Sequence, residues 1–168
     1  MPLQAAGAKV VVLDVEPYLT DGWKDSRTEI LRQYVDGMCR AREAADRAGI
    51  ELIACIPYFY DKDGTEELER LVSRGCHSLA VRNYDRKKEV SHLKTEAGLA
   101  AAYGRPLFTI YELQKPGTHG LTERNTYYAL GPDGVRESWK ELRGAYPDQP
   151  FSYALHDSRS LKEVLRLA

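Results

Sequence analysis

Short apolar runs alternate along this chain with longer stretches whose apolar residues recur three and four positions apart. The first run, Val10-Val11-Val12-Leu13, predicts a strand over Lys9–Glu16, ended by Pro17, which cannot donate to a sheet ladder. Four more strands are predicted over Glu51–Pro57, Ser78–Tyr84, Pro106–Leu113 and Phe151–His156. Between the first two, Ile30, Leu31, Tyr34, Val35 and Met38 share one face of a helix running from about Thr28 to Ala48. Asp25 or Ser26 can cap that helix and Gly49 stops it. Further helices are predicted over Thr65–Ser73, Lys88–Tyr103, Val135–Tyr146 and Ser160–Leu167, the last with Ser158 as its cap. Asn125–Leu130 reads equally as a short strand or a loop, and Asp61–Gly64 and Pro132-Asp133-Gly134 read as turns. The loop Gln114–Glu123 carries Pro116, Gly117, His119 and Gly120, for which the sequence supplies no reason.

Strands alternating with helices call for parallel βαβ units, hence an α/β fold. Residues 1–8 are weakly patterned and are expected to be a disordered lead-in, leaving 9–168 as one domain. Two architectures fit five such units: a doubly wound open sheet of flavodoxin type, or part of a (β/α) TIM barrel, which normally needs about 250 residues. Both place chemistry at the C-terminal ends of the strands, so those ends carry the functional reading.

Composition narrows the partners. The 168 residues carry a formal net charge of −1 with both signs interspersed, so no footprint for nucleic acid or for an acidic membrane is visible. Arg86-Lys87-Lys88 reads as a solvated loop. Cys39, Cys55 and Cys76 lack metal-ligand spacing and read as reduced thiols, with Cys55 a small core residue. No apolar run reaches membrane-spanning length and the N-terminus does not look like a signal peptide, so a cytoplasmic protein is expected. His77, His92 and His119 show no metal spacing; neither a metal nor any other cofactor is expected.

The predicted strand ends are rich in carboxylates, aromatics and amides. They read Asp14-Val15-Glu16-Pro17-Tyr18, Pro57-Tyr58-Phe59-Tyr60, Arg82-Asn83-Tyr84-Asp85, Tyr111-Glu112-Leu113-Gln114 and His156-Asp157, without a glycine-rich phosphate cradle. Asp14 and Glu16 lie two apart on a strand and therefore project to one side. A carboxylate pair at such a place is either part of a site or an ion pair with an arginine such as Arg82 or Arg159. Aromatic faces that stack on sugar rings, beside carboxylates that bind hydroxyls, point to carbohydrate chemistry. His156-Asp157 invites a dyad, but no serine or cysteine stands in a nucleophile elbow, so His156 reads as a hydrogen-bonding residue at the mouth of the site.

In order and spacing these motifs resemble the C-terminal part, strands four to eight, of a glycoside-hydrolase-like β/α barrel. Asp14-Val15-Glu16 is similar to the Asp-x-Glu that ends strand four in family 18 chitinases, and Arg82-Asn83-Tyr84-Asp85 resembles their strand-six Met-x-Tyr-Asp. The likeness extends to bacterial barrel proteins with an Asp-x-Glu-Pro strand end and a Glu near the end of strand seven. It implies a partial TIM barrel with five parallel strands and a hydrolase that acts on a carbohydrate by acid/base chemistry. It also implies Glu16 as general acid, with its pKa raised by burial or by a neighbouring anion such as Asp14, and Tyr84 as a donor to substrate. Glu112 is then either secondary, with the substrate's acetamido group attacking and Asp14 orienting it, or the nucleophile or base that complements Glu16. Tyr18, Tyr58, Tyr60, Asn83, Tyr84, Asp85 and His156 are the expected substrate-binding residues. The alternative is a non-catalytic carbohydrate-binding or interaction module derived from such a barrel. With three units absent, self-association or a missing N-terminal barrel half is expected as well.

Overall fold

The computed structural model describes residues 7–167, so most of the expected lead-in lies outside the described residues. Strand β1 (Val10–Leu13) is followed by a 3-10 turn at Pro17–Leu19 and helix α1 (Trp23–Ala48). Then come β2 (Glu51–Pro57), α2 (Tyr60–Asp63), α3 (Thr65–Arg70), a π-helical turn at Leu71–Gly75 and β3 (Ser78–Arg82). Helices α4 (Glu89–His92) and α5 (Lys94–Ala102) lead to β4 (Leu107–Glu112). Helix α6 (Gly131–Ala145), β5 (Phe151–His156) and α7 (Ser158–Leu167) complete the chain.

The strands form one sheet in the order β1-β2-β3-β4-β5, every pair parallel. Neighbours in sequence are neighbours in space, so the order never reverses as it does in a doubly wound sheet. The open-sheet alternative of flavodoxin type is therefore set aside. The sheet curls into a half-barrel with helices between the strands.

Side-chain alternation gives the sheet two unlike faces. Leu52, Ala54 and Ile56 of β2, Leu79 and Val81 of β3 and Leu107, Thr109 and Tyr111 of β4 are all buried. With Leu31, Val35 and Met38 of α1, and Leu71 and Leu142, the apolar ones form the core. Each such Leu or Ile contributes about 1.5–3 kcal/mol by leaving water. The other face is less covered: Val10 and Val12 are 47% and 56% exposed, and Ile53, Phe108 and Ile110 are half-buried. Among the described residues, strands β1 and β5 each have one paired neighbour and stand at the two edges of the sheet.

Several boundaries differ from the sequence reading. Strand β1 stops at Leu13, so Asp14 and Glu16 lie on the turn beyond it, where Leu19 N–H donates to the Glu16 carbonyl at 3.0 Å. Helix α1 begins at Trp23, whose buried ring anchors its first turn, and not at a cap on Asp25 or Ser26; Ser26 departs from helical geometry inside it. Its other end is as expected: Gly49 sits at φ 65°, and the Ile50 N–H reaches back to Ala45 at 2.9 Å. The helix expected over Lys88–Tyr103 is two helices, broken at the fully buried Leu93. Asp61-Lys62-Asp63 and Pro132-Asp133-Gly134 are helical, not turns; Pro132 stands in the first turn of α6, where its missing N–H has no partner to lose. Ser158 is the first residue of α7 and not its cap.

Candidate functional site

The C-terminal ends of the strands enclose a cleft of about 380 Å³. Asp14 and Glu16 enter it from beyond β1, Cys55 from β2, Arg82 from β3 and Tyr84 from just past its end, Glu112 from β4 and Gln114 from just past its end, and His156 from β5. Inward-facing positions explain the set: Cys55 pairs in register with Ala80, Arg82 with Ile110, and Glu112 with His156. His119 and Leu121 close the cleft from the long loop after β4. That loop explains its own glycines. Gly117 and Gly120 take φ of 94° and 76°, a left-handed backbone that a side chain would strain.

Arg82 is the hub. Its guanidinium binds Glu16 through Nη1, and its Nη2 lies 3.3 Å from Asp14 Oδ1. The Tyr18 hydroxyl also donates to Glu16. The Tyr18 hydrogen bond, helped by Arg82 and opposed by burial, holds the Glu16 carboxyl below its ordinary value. The resemblance requires the reverse, a raised Glu16 pKa. The Tyr18 hydroxyl and the Arg82 guanidinium both favour the charged form, so Glu16 is a carboxylate and not a stored proton. An ion pair between these carboxylates and an arginine is thus present, and it lies within the cleft.

On the far side, His156 Nδ1 is 3.0 Å from Glu112 Oε2, and Glu112 Oε1 accepts the Gln114 N–H at 2.7 Å. The loop returning from residue 121 fixes this strand end. Tyr127 N–H and the Thr126 hydroxyl donate to the Glu112 carbonyl at 2.8 and 3.1 Å, and Asn125 Nδ2 donates to the Tyr84 carbonyl at 2.7 Å. Burial pushes the Tyr84 phenol upward, so it stays a neutral hydrogen-bond donor at the cleft. Burial likewise pushes the Cys55 thiol up to about 12, which leaves it an unreactive wall residue.

Other expected binding residues lie elsewhere. Tyr60 is buried in the core, its ring against Trp23, Tyr34, Tyr18 and Phe59. Tyr58 stacks on His92, with ring centroids 3.9 Å apart. These two tyrosines therefore form no sugar platform in the cleft. Tyr18 reaches the site only through its hydroxyl on Glu16, its ring packing against Trp23 and Phe59. Asn83 is buried and donates to the Glu89 carbonyl at 2.8 Å. Asp85 binds Arg124 at 2.7 and 2.6 Å and caps the Lys87 N–H at 3.2 Å. Both serve the β3–α4 connection and not the cleft, held there by their contacts with Glu89, Lys87 and Arg124. Conversely, Arg82, Gln114, His119 and Leu121 line the cleft, and none of them is among the binding residues that the sequence predicts. Arg82 is legible in the sequence as a partner of the carboxylates; the loop residues carry no signal.

A larger cavity, about 750 Å³, lies at the opposite end of β5 beside α6, lined by residues such as Trp139, Arg143, Tyr146, Gln149 and Phe151 and by no carboxylate. Among the described residues no group of three or more His, Cys, Asp or Glu could hold a metal ion, and no helix is long and apolar enough to cross a membrane. No protein-family model matches the chain, and no curated protein matches it.

Proposed function

We propose that this chain is a glycoside-hydrolase-like part of a (β/α) TIM barrel that acts on a carbohydrate by acid/base chemistry in the cleft at the strand ends. The observation that carries the reading is that Asp14, Glu16, Tyr84, Glu112 and His156, from four different strand ends, line a single cavity. Its size is at the small end of the range for ligand pockets, and its lining sets three carboxylates beside donors on Arg82, Tyr84, Gln114 and the histidines. Sugar hydroxyls, which both donate and accept, complement such a lining. The sequential strand order supports the barrel part of the proposal, while the chemistry rests on the side chains, because a β/α fold hosts many activities.

In this reading Glu16 acts as an ionised group, with Asp14 beside it against the same guanidinium. Glu16 is suited to stabilise developing positive charge at the anomeric carbon or to accept a proton, and unsuited to protonate the leaving oxygen. Tyr84 donates a hydrogen bond to substrate. The depressed Glu16 pKa equally favours the second reading, a non-catalytic carbohydrate-binding module, in which the Arg82 ion pair shapes the cleft.

Incubation of the chain with neutral and N-acetylated oligosaccharides, followed by chromatography of the products, separates these readings. Turnover that is lost in Glu16→Gln, with the fold intact by circular dichroism, supports the hydrolase. Glycan binding without turnover at any pH selects the module. Absence of both binding and turnover overturns the carbohydrate proposal.

A further inference from the structure

The pairing of Glu112 with His156 has a consequence for the direction of proton transfer in the cleft. The two residues are register partners at the ends of β4 and β5, with Oε2 of the carboxylate 3.0 Å from Nδ1 of the ring. The Glu112 side chain is 3% exposed, whereas half of the His156 side chain remains accessible at the cleft. Glu112 Oε1 is already occupied by the Gln114 N–H at 2.7 Å. An ionised carboxylate is an acceptor only and has no hydrogen to give Nδ1, so in the neutral ring the hydrogen of this contact stands on Nδ1. That leaves the Nε2 lone pair on the accessible side of the ring.

We propose that Glu112 is a positioning residue that locks His156 in its Nδ1–H form, so that Nε2 is the proton acceptor of the cleft. The inference rests on the reading of this cleft as a working site. A water or sugar hydroxyl hydrogen-bonded to Nε2 gives up its proton as it reacts: its O–H bond breaks, an N–H bond forms, and the oxygen keeps the electron pair. The resulting imidazolium faces the Glu112 carboxylate, which stabilises it. This is the arrangement of a base held by a third group. With both oxygens engaged, Glu112 is not the attacking group.

The test uses histidine-labelled full-length chain and long-range ¹H–¹⁵N NMR at alkaline pH, where neutral imidazole tautomers are resolved. The expected result is an Nδ1–H signature for His156, converting to the Nε2–H form common in water in a folded Glu112→Leu variant. Should Glu112→Leu fail to fold, Glu112→Gln, whose amide can donate to Nδ1, is expected to cause the same conversion. An Nε2–H form in the unaltered protein overturns the proposal whatever the variants do, and so does an Nδ1–H form that persists in folded Glu112→Leu. If a glycan is turned over, His156→Gln is expected to lower kcat at least about 100-fold with a smaller change in KM; unchanged kcat overturns the proton-acceptor role. An Nδ1–H signature in a protein that turns over no glycan supports the positioning and counts against the sugar-processing function alone.

Discussion

Arg82 and Glu16 form an ion pair across the rim of the sheet, joining the end of β3 to the turn that follows β1, with β2 between them. The same guanidinium faces Asp14, so a single cation gathers both carboxylates of the Asp-Val-Glu segment. Arg82 is mostly buried and Glu16 is 31% exposed on its side chain, so the pair is only partly screened by water.

Replacing Arg82 with Leu is expected to destabilise the protein by about 2 kcal/mol, below the range of fully buried pairs because Glu16 keeps contact with solvent. The same substitution should raise the Glu16 pKa. Urea unfolding midpoints and NMR titration of the Glu16 carboxyl carbon read the two effects. No change in the Glu16 titration would show that Arg82 does not govern its charge.

Tyr18→Phe removes the largest influence that lowers the Glu16 pKa and should move it upward. Because the folded value lies below the unfolded one, Glu16 contributes stability above its ordinary value of 4.5 that is lost as pH falls through the folded pKa. Tyr18→Phe should therefore lose stability relative to the parent chiefly above pH 4.5, the two curves converging in stronger acid. Thermal melts across the acid range check this; a constant difference at all pH values would rule it out.

Glu96, on α5, has the opposite sign. It is 0% exposed, neither side-chain oxygen has a partner, and burial pushes its pKa from 4.5 to about 8. Stability linked to it is fully present below pH 4.5 and is lost as pH rises through about 8. Glu96→Gln should gain on the parent by about 3 kcal/mol between about pH 5 and about pH 8, since a tenfold change in proton activity is worth about 1.4 kcal/mol. Denaturant unfolding at those two pH values gives the number directly.

Gly134 separates helix propensity from packing against the segment that leads into α6. In a helix interior, Gly to Ala is expected to stabilise by about 1 kcal/mol. A Cβ at this position in α6 would lie 2.5 Å from Leu130 Cβ and 3.3 Å from the Tyr127 ring. Gly134→Ala should therefore destabilise, by about 1–3 kcal/mol, and lower the melting temperature. A higher melting temperature would mean that Leu130 moves aside freely.

The alternation of short apolar runs with helical periodicity was enough to establish five parallel strands, because β2, β3 and β4 each bury one face that the amphipathic stretches cover. Glu112 and His156 were legible as strand-end residues, though not as partners of each other. What the chain could not reveal by itself was the company each group keeps. Tyr60 is drawn into the core by Trp23 and Tyr34, Asp85 is captured by Arg124 from a distant loop, and Glu16 is kept ionised first by the hydroxyl of Tyr18, which the sequence offered as a contact to substrate. Those outcomes depend on sheet curl, register and loop return, which are set by contacts between distant segments. The identity of a side chain states what it can do, and only the fold decides which charge stands beside it.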